Sequence, residues 1–303
     1  MTRLTGAIAA TPTPFTSAGG VDFGWVEGHL DALRRHSCDG VLIAGTTGEG
    51  PSLTLAERKA LIDVVMKARG SLAVAVGCGT PSLPDTIEAV RHAHSAGADA
   101  ALVLPPYYFR HVGAEGLIAY YSRLIEGLDP DSNICLYNIP QVSGVEISDD
   151  LLAGLAERHP GRVEGIKDSS GIMERTLGYL ERYPNLHIWP GGDRLTSAMI
   201  RRGAPGVMSA TASWAPDLVR TVLDQVASGP SGGQARLDSA EAVGNLIDPR
   251  AGVKYLCHLR FGLPATFVRP PLLDASTEQE SILREAFERL GLEVKEAVAS
   301  PTA

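Results

Sequence analysis

Cysteine is scarce in this sequence of 303 residues, and its placement is informative. The four cysteines are far apart, at Cys38, Cys78, Cys135 and Cys257. No two of them have C-x-x-C spacing, and none has a histidine at metal-site spacing. Three lie in or beside apolar runs, where a cysteine is expected to be a small buried side chain. The sequence therefore predicts neither a disulfide nor a bound metal.

Positive charge is also in short supply. The chain has 27 Lys and Arg against 35 Asp and Glu, which gives a formal net charge of −8. A surface that binds nucleic acid needs clustered Lys and Arg in excess, because they replace the counterions of the phosphates. We therefore expect no nucleic-acid partner.

Long apolar runs are missing too. No run approaches the ~18 residues that span a bilayer, and the first fifteen residues lack the apolar stretch of a signal peptide. Yet 44% of the residues are hydrophobic and 20% charged, which is enough to build a large core. We expect a globular protein of the cytoplasm without a membrane anchor.

What the sequence does contain is a series of short runs rich in Val, Ile, Leu and Ala. Such runs are typical of strands buried on both faces of a parallel sheet. We predict eight of them, at residues 6–10, 40–45, 72–77, 99–105, 133–138, 162–167, 187–191 and 206–210.

Helical patterns separate these runs. Residues 55–70 follow Thr54, with Glu57 three positions on, which is the spacing of a capping box. Residues 83–98 and 147–161 show the same apolar spacing, the latter with Ser148 as the expected cap. Strands alternating with helices in this way predict an α/β fold, a (β/α)8 TIM barrel, although an open doubly wound sheet has the same local pattern.

The pattern changes after residue 215. Further helical segments follow, interrupted by a turn cluster at 229–234 and by the proline-containing segment 263–271. We predict a barrel domain at residues 1–225 and a helical extension packed on it at residues 226–303. The last six residues, 298–303, are expected to be a frayed tail.

In a (β/α)8 barrel the active site lies at the carboxyl ends of the strands. The sequences at those ends are GTTGEG (45–50), PPYYF (105–109), YNIP (137–140), GIKDSSG (165–171) and PGGD (190–193). Taken singly, Lys167 has an ordinary explanation as a lysine reaching water, and Tyr137 as a buried tyrosine with one hydrogen bond. GTTGEG lacks a nucleotide-binding motif, but as a turn before a helix it offers N–H groups and two hydroxyls to a small anion such as a carboxylate.

The order GTTGE, paired tyrosines, YNIP and GIKD resembles the family of dihydrodipicolinate synthases and N-acetylneuraminate lyases. These are class I pyruvate-dependent aldolases on a (β/α)8 barrel, and the resemblance covers about residues 4–300. It implies a carbon–carbon lyase that cleaves or condenses a 2-oxo acid, normally pyruvate, with an aldehyde as the second partner. It implies no cofactor, and it implies a homo-oligomer, either a dimer or a tetramer.

The resemblance also implies the catalytic roles. Lys167 would attack the ketone and form a Schiff base, for which burial between apolar strands favours the neutral amine. Tyr137 would be the proton shuttle. Thr46 and, through it, Tyr108 would complete the relay, and Tyr108 matches a tyrosine that enters the site of a neighbouring subunit.

Substrate-binding roles are implied in the same way. Thr47 and the backbone of the GTTGE turn, including Gly48, would hold the pyruvate carboxylate. Backbone atoms of Gly191 and of the segment that contains Val207 and Met208 would line the pocket.

Two departures from the family pattern concern the second substrate. Val142 stands where synthases of the lysine pathway usually have an arginine for the carboxylate of aspartate semialdehyde. The neuraminate lyases have an acidic pair at the end of strand seven, where this chain has Asp193 followed by Arg194. The leading hypothesis is therefore an aldolase for another 2-oxo acid, such as a sugar-acid derivative. The alternatives are a dihydrodipicolinate synthase with an unusual carboxylate site, and a non-catalytic protein that binds 2-oxo acids.

Overall fold

A computed structural model describes residues 4–229 and 232–295, so the predicted tail at 298–303 lies outside the described residues. Eight parallel strands form one sheet in which β1 to β7 are paired in sequence order and β1 also pairs with β8. The sheet is a nearly closed barrel, which confirms the predicted (β/α)8 architecture over the open doubly wound sheet. Its strands are β1 Gly6–Ala10, β2 Gly40–Ile43, β3 Ala73–Gly77, β4 Ala100–Val103, β5 Ile134–Asn138, β6 Val163–Asp168, β7 His187–Pro190 and β8 Gly206–Ser209.

Helices connect the strands and cover the outside of the barrel. The predicted capping box is present, since the Glu57 amide donates to Thr54 Oγ1 at 3.2 Å and the Thr54 amide to Glu57 Oε2 at 2.9 Å. The predicted cap Ser148 accepts a hydrogen bond from the Leu151 amide at 3.2 Å. The helices are α1 Phe23–Arg35, α2 Leu55–Ala68, α3 Leu83–Ser95, α4 Ala114–Glu126, α5 Pro140–Ser143, α6 Asp149–Arg158, α7 Met173–Arg182, α8 Thr196–Ile200, α9 Pro216–Ser228, α10 Gly233–Gly244, α11 Pro249–Phe261 and α12 Thr277–Arg289.

Two strands end two residues before the apolar runs that predicted them. β2 stops at Ile43 because Ala44 adopts a left-handed conformation, with φ of 52°, and so begins a turn. β4 stops at Val103, shortly before Pro105 and Pro106, which have no amide hydrogen for a ladder. Each early end releases the chain into a loop at the barrel mouth.

The core has two layers. The larger layer lies between the strands and the helices, and the smaller one fills the inside of the barrel. The inside cluster is made mostly of small or branched side chains, namely Leu4, Ile8, Ala10, Leu42, Ala73, Ala75, Ala100, Leu102, Cys135, Trp189 and Met208. A filled interior leaves the carboxyl ends of the strands as the place for a site.

After β8 the described chain consists of helices and the loops that join them. The predicted division between residues 225 and 226 falls within α9 and stays a prediction. All four cysteines are free and buried. Among the described residues, no helix is both long and apolar enough to cross a membrane.

Candidate active site

Lys167 and Tyr137 are brought together by the register of neighbouring strands. Tyr137 of β5 lies opposite Lys167 of β6, and Lys167 lies opposite Trp189 of β7. The Lys167 Nζ donates a hydrogen bond to Tyr137 Oη at 3.2 Å and lies 4.4 Å from the centre of the tyrosine ring. Lys167 is only 4% exposed, so the explanation of a lysine that simply reaches water is wrong.

Tyr137 is the middle member of a hydrogen-bonded chain. Its Oη lies 3.2 Å from Thr46 Oγ1, and either hydroxyl can donate. Burial alone would raise the pKa of Tyr137, but the charge of Lys167 and hydrogen bonds with Thr46, Lys167 and Ser169 outweigh burial and lower it. A phenol with a lowered pKa gives up and takes back a proton more readily near neutral pH. The chain Thr46–Tyr137–Lys167 can therefore carry a proton to and from the amine.

The floor of the site is formed by Trp189. Its ring lies so close to Gly165 of β6 that a Cβ there would be 2.5 Å from it, and its Nε1 donates to the Leu4 carbonyl at 2.9 Å. Only glycine fits at position 165 beneath this ring. Lys167, two residues further along the same face of the strand, is thereby held above a closed apolar surface.

The residues after Tyr137 and Lys167 also meet. Asn138 Nδ2 donates to Asp168 Oδ1 at 2.9 Å, and both side chains are completely buried. Asp168 Oδ2 accepts from Thr176 Oγ1 at 2.6 Å and from Ser170 Oγ at 3.1 Å. A fully satisfied buried carboxylate is a firm anchor. It fixes the end of β6 next to Lys167, a role that our sequence reasoning missed.

The GTTGEG segment forms a compact turn at the mouth. The Gly50 amide donates to the Gly45 carbonyl at 3.0 Å and closes the base of the turn. Thr13 Oγ1 donates to the Gly48 carbonyl at 2.6 Å, and a Cβ on Gly48 would lie 2.9 Å from the Thr11 carbonyl. Thr47 is half-buried beside Gly48. The turn is thus held from one side by the loop after β1.

A buried ion pair holds the same turn from below. Glu49 Oε1 accepts from Lys254 Nζ at 2.5 Å, and Glu49 Oε2 accepts from the Arg269 amide at 3.0 Å. Burial, opposed by Glu49, lowers the pKa of Lys254. Lys254 lies on α11, so the helical extension contacts the turn directly. Sequence reasoning missed this contact because nothing local pairs residues 49 and 254.

The ends of β7 and β8 provide the opposite wall. The Gly191 amide donates to the Asp168 carbonyl at 2.7 Å, and a Cβ on Gly191 would clash with Ser169 Oγ at 1.9 Å. Met208 belongs to the cluster inside the barrel, whereas Val207 packs between the sheet and the helices. The side chain of Val207 therefore faces away from the barrel interior.

Tyr108 lies apart from this constellation within the single chain. It is 76% exposed, and its ring is edge-on to that of Phe109, with centres 5.4 Å apart. In the described part of the chain, Tyr108 forms no hydrogen bond to Thr46. The structure of one chain thus assembles three of the four predicted catalytic residues.

The positions expected to select the second substrate differ in burial. Val142 on α5 is 51% exposed. Asp193 is buried, and burial, moderated by hydrogen bonds with Thr211 and Ser209, raises its pKa to about 7. The side chain of Arg194 is mostly exposed and lies 3.4 Å from Glu241 Oε2. Arg194 is therefore a solvated rim residue with a carboxylate partner.

No group of three or more His, Cys, Asp or Glu that could hold a metal ion exists among residues 4–229 and 232–295.

Comparison with known proteins relates this geometry to a family. Residues 3–290 match the model of the Dihydrodipicolinate synthetase family. The chain is 40% identical, over 96% of its length and 98% of the relative's, to a DapA-like lyase from Chloroflexus aurantiacus.

Solved structures agree with this relationship. Dihydrodipicolinate synthase from Aquifex aeolicus superposes with a TM-score of 0.88 at 29% identity, covering 97% of this chain and 100% of that one. YagE from Escherichia coli K12, solved in complex with pyruvate, superposes with a TM-score of 0.87 at 26% identity, covering 95% and 99%. The chain therefore belongs to the dihydrodipicolinate synthetase family, and it is a lyase of the class I aldolase type.

Proposed function

We propose that this lyase cleaves or condenses a 2-oxo acid through an imine between Lys167 and pyruvate. The observation that carries the proposal is the chain of two 3.2 Å hydrogen bonds from Thr46 through Tyr137 to the buried amine of Lys167. Such a chain supplies a nucleophile and a proton carrier at one point, as imine formation requires. The pyruvate complex of YagE supports the choice of 2-oxo acid.

The proposed reaction uses these groups in sequence. The neutral amine of Lys167 attacks the carbonyl carbon of pyruvate, and the resulting carbinolamine loses water to give an iminium ion. Loss of a proton from the methyl group gives an enamine, which attacks an aldehyde and forms the new carbon–carbon bond. Hydrolysis then frees the amine, and cleavage is the reverse. Tyr137, with Thr46 behind it, carries the protons that each step releases or consumes.

The carboxylate of pyruvate is assigned to the GTTGEG turn. Thr47 and the backbone of Gly48 are its proposed ligands, because a tight turn before a helix presents N–H groups to an anion. Backbone atoms of Gly191, Val207 and Met208 complete the proposed pocket. Close approach of the backbone is consistent with the absence of room for a Cβ at Gly48 and Gly191.

The fourth proposed catalytic residue requires a second copy of the chain. Tyr108 and Phe109 are 76% and 70% exposed, which is unusual for large apolar rings. We propose a homo-oligomer, a dimer or a tetramer, in which Tyr108 enters the neighbouring site and meets Thr46. Sedimentation gives the number of subunits. Mixing inactive Tyr108→Phe and Lys167→Ala chains tests the sharing, because mixed oligomers would regain sites with both residues intact.

The candidate reactions differ in the aldehyde that serves as second substrate. Exposed Val142 offers no charge to a carboxylate, which favours an aldehyde other than aspartate semialdehyde, such as one derived from a sugar acid. Likeness to the Aquifex aeolicus synthase supports the second candidate, 4-hydroxy-tetrahydrodipicolinate (dihydrodipicolinate) synthase. Pyruvate release from a panel of 2-oxo acids, run beside a semialdehyde condensation assay, separates the two.

The imine itself is tested by reduction. Borohydride with pyruvate should add one reduced pyruvyl group per chain, on the peptide that contains Lys167, as seen by mass spectrometry. Lys254 is an internal control, because it is equally buried but paired with Glu49. Lys167→Ala should give no adduct. An unmodified wild-type protein, or one modified on Lys254, would reject the proposal and favour a non-catalytic binding protein.

A further inference from the structure

A buried arginine lies beneath the turn that is proposed to bind the carboxylate. Arg58 projects from α2 and is 1% exposed. Its guanidinium donates to the Gly50 carbonyl at 2.7 Å, to the Ala44 carbonyl at 3.4 Å, and to the Gly77 carbonyl at the end of β3. Ala44 immediately precedes the turn, and Gly50 is its last residue. One side chain thus joins both ends of the turn to the neighbouring strand.

The charge of Arg58 has no carboxylate partner in the described chain. Its hydrogen-bond acceptors there are main-chain carbonyls, and its Nε has no partner. Burial lowers the pKa of Arg58, an effect opposed by Cys78 and Tyr107, but a guanidinium stays charged in proteins. Lys254, the other buried cation beside the turn, is neutralised by Glu49. Arg58 is therefore the uncompensated positive charge behind the turn.

A buried charge without a counterion is costly, and closing a turn does not require one. The cost is offset if an anion binds nearby, because Coulomb attraction is strong where water is excluded. We infer that Arg58 is a positioning residue for the carboxylate of the 2-oxo acid. It holds the base of the turn and makes the electrostatic potential at Thr47 and Gly48 positive. This inference rests on the proposed function.

The test compares an anionic substrate with a neutral analogue of the same shape. The concentration that half-saturates borohydride trapping on Lys167 is measured for pyruvate and for pyruvamide. Arg58→Met should raise the value for pyruvate about tenfold, as expected for one partly screened unit charge. The value for pyruvamide should change less than about twofold, and kcat at saturating pyruvate should change little.

Two further variants separate charge from hydrogen bonding. Arg58→Lys keeps the charge and should keep most of the preference for pyruvate over pyruvamide. Arg58→Gln keeps amide donors for the carbonyls but should lose the preference as Arg58→Met does. If Arg58→Met fails to fold, the comparison of Arg58→Lys with Arg58→Gln still tests the inference.

Several results would overturn the inference. Equal weakening of pyruvate and pyruvamide would show that Arg58 only packs the turn, and so would an unchanged preference in Arg58→Gln. If both neutral variants failed to fold while Arg58→Lys folded, the positive charge at position 58 would be needed for folding and not for binding the carboxylate. If the wild-type protein formed no pyruvyl adduct at Lys167, the proposed function itself would fall, which is a distinct outcome.

Discussion

Replacing Tyr137 by phenylalanine removes one oxygen atom and leaves the rest of the site in place. That oxygen forms hydrogen bonds of 3.2 Å with both Thr46 and Lys167. The tyrosine ring, whose centre lies 4.4 Å from Lys167 Nζ, remains. The variant therefore isolates proton transfer from packing.

The two effects of Tyr137→Phe differ in size. Leaving the half-buried Thr46 hydroxyl and the buried Lys167 amine without this partner costs about 1–3 kcal/mol of stability, which is a fall of roughly 10 °C at most in Tm for a domain of this size. Loss of acid–base catalysis lowers turnover by ~10²–10⁴, or about 2.7–5.5 kcal/mol in activation free energy. The catalytic loss should thus exceed the loss of stability.

The assay is steady-state release of pyruvate from an active 2-oxo acid, together with the rate of imine trapping at Lys167 and a thermal melt. Thr46→Val is the matched control, since it removes the far end of the relay but leaves the bond between Lys167 and Tyr137. It should lower turnover less than Tyr137→Phe does. Turnover of Tyr137→Phe within about threefold of wild type, in a folded protein, would refute the relay.

Three other predictions concern stability, pH and substrate. Lys254→Met leaves the Glu49 carboxylate buried without its ammonium, so the free energy of unfolding in denaturant should fall by about 3–5 kcal/mol. Adding Glu49→Gln should recover part of that loss, and a loss below about 1 kcal/mol would mean that the pair is solvated. The pKa of Asp193 is raised by burial to about 7 from an ordinary 3.8, so the fold is favoured while this carboxyl is protonated. Tm should accordingly fall as the pH rises from about 4 through 7, and Asp193→Asn should flatten this dependence. If Tm fell equally with pH in both proteins, Asp193 would not be the group responsible. Val142→Arg should raise condensation of pyruvate with aspartate semialdehyde by roughly one to two decades in kcat/KM, the value of a charge-assisted bond of ~1.5–3 kcal/mol, with Val142→Leu unchanged. Efficient condensation by the wild-type protein would instead restore the synthase assignment.

Much of the fold follows from local patterns. All eight strands lie where short apolar runs predict them, because a strand buried on both faces must be apolar throughout. The caps at Thr54 and Ser148 also follow from neighbours within three residues. The predicted proximity of Tyr137 and Lys167 has the same basis, since each ends a strand, and parallel strands end at one edge of the barrel.

What the sequence alone left open depends on side chains that meet only when the barrel closes. Lys254 and Glu49 are 205 residues apart, and no local pattern selects one buried partner for the other. The same applies to Arg58. Its sequence position is that of an ordinary charged helix residue, and only the structure shows that it is buried beneath the turn. The exposure of Tyr108 is likewise a property of the folded loop and not of the motif. Local spacing determines which elements form and which edge they share, whereas the pairing and burial of polar groups are decided by the packing of distant segments.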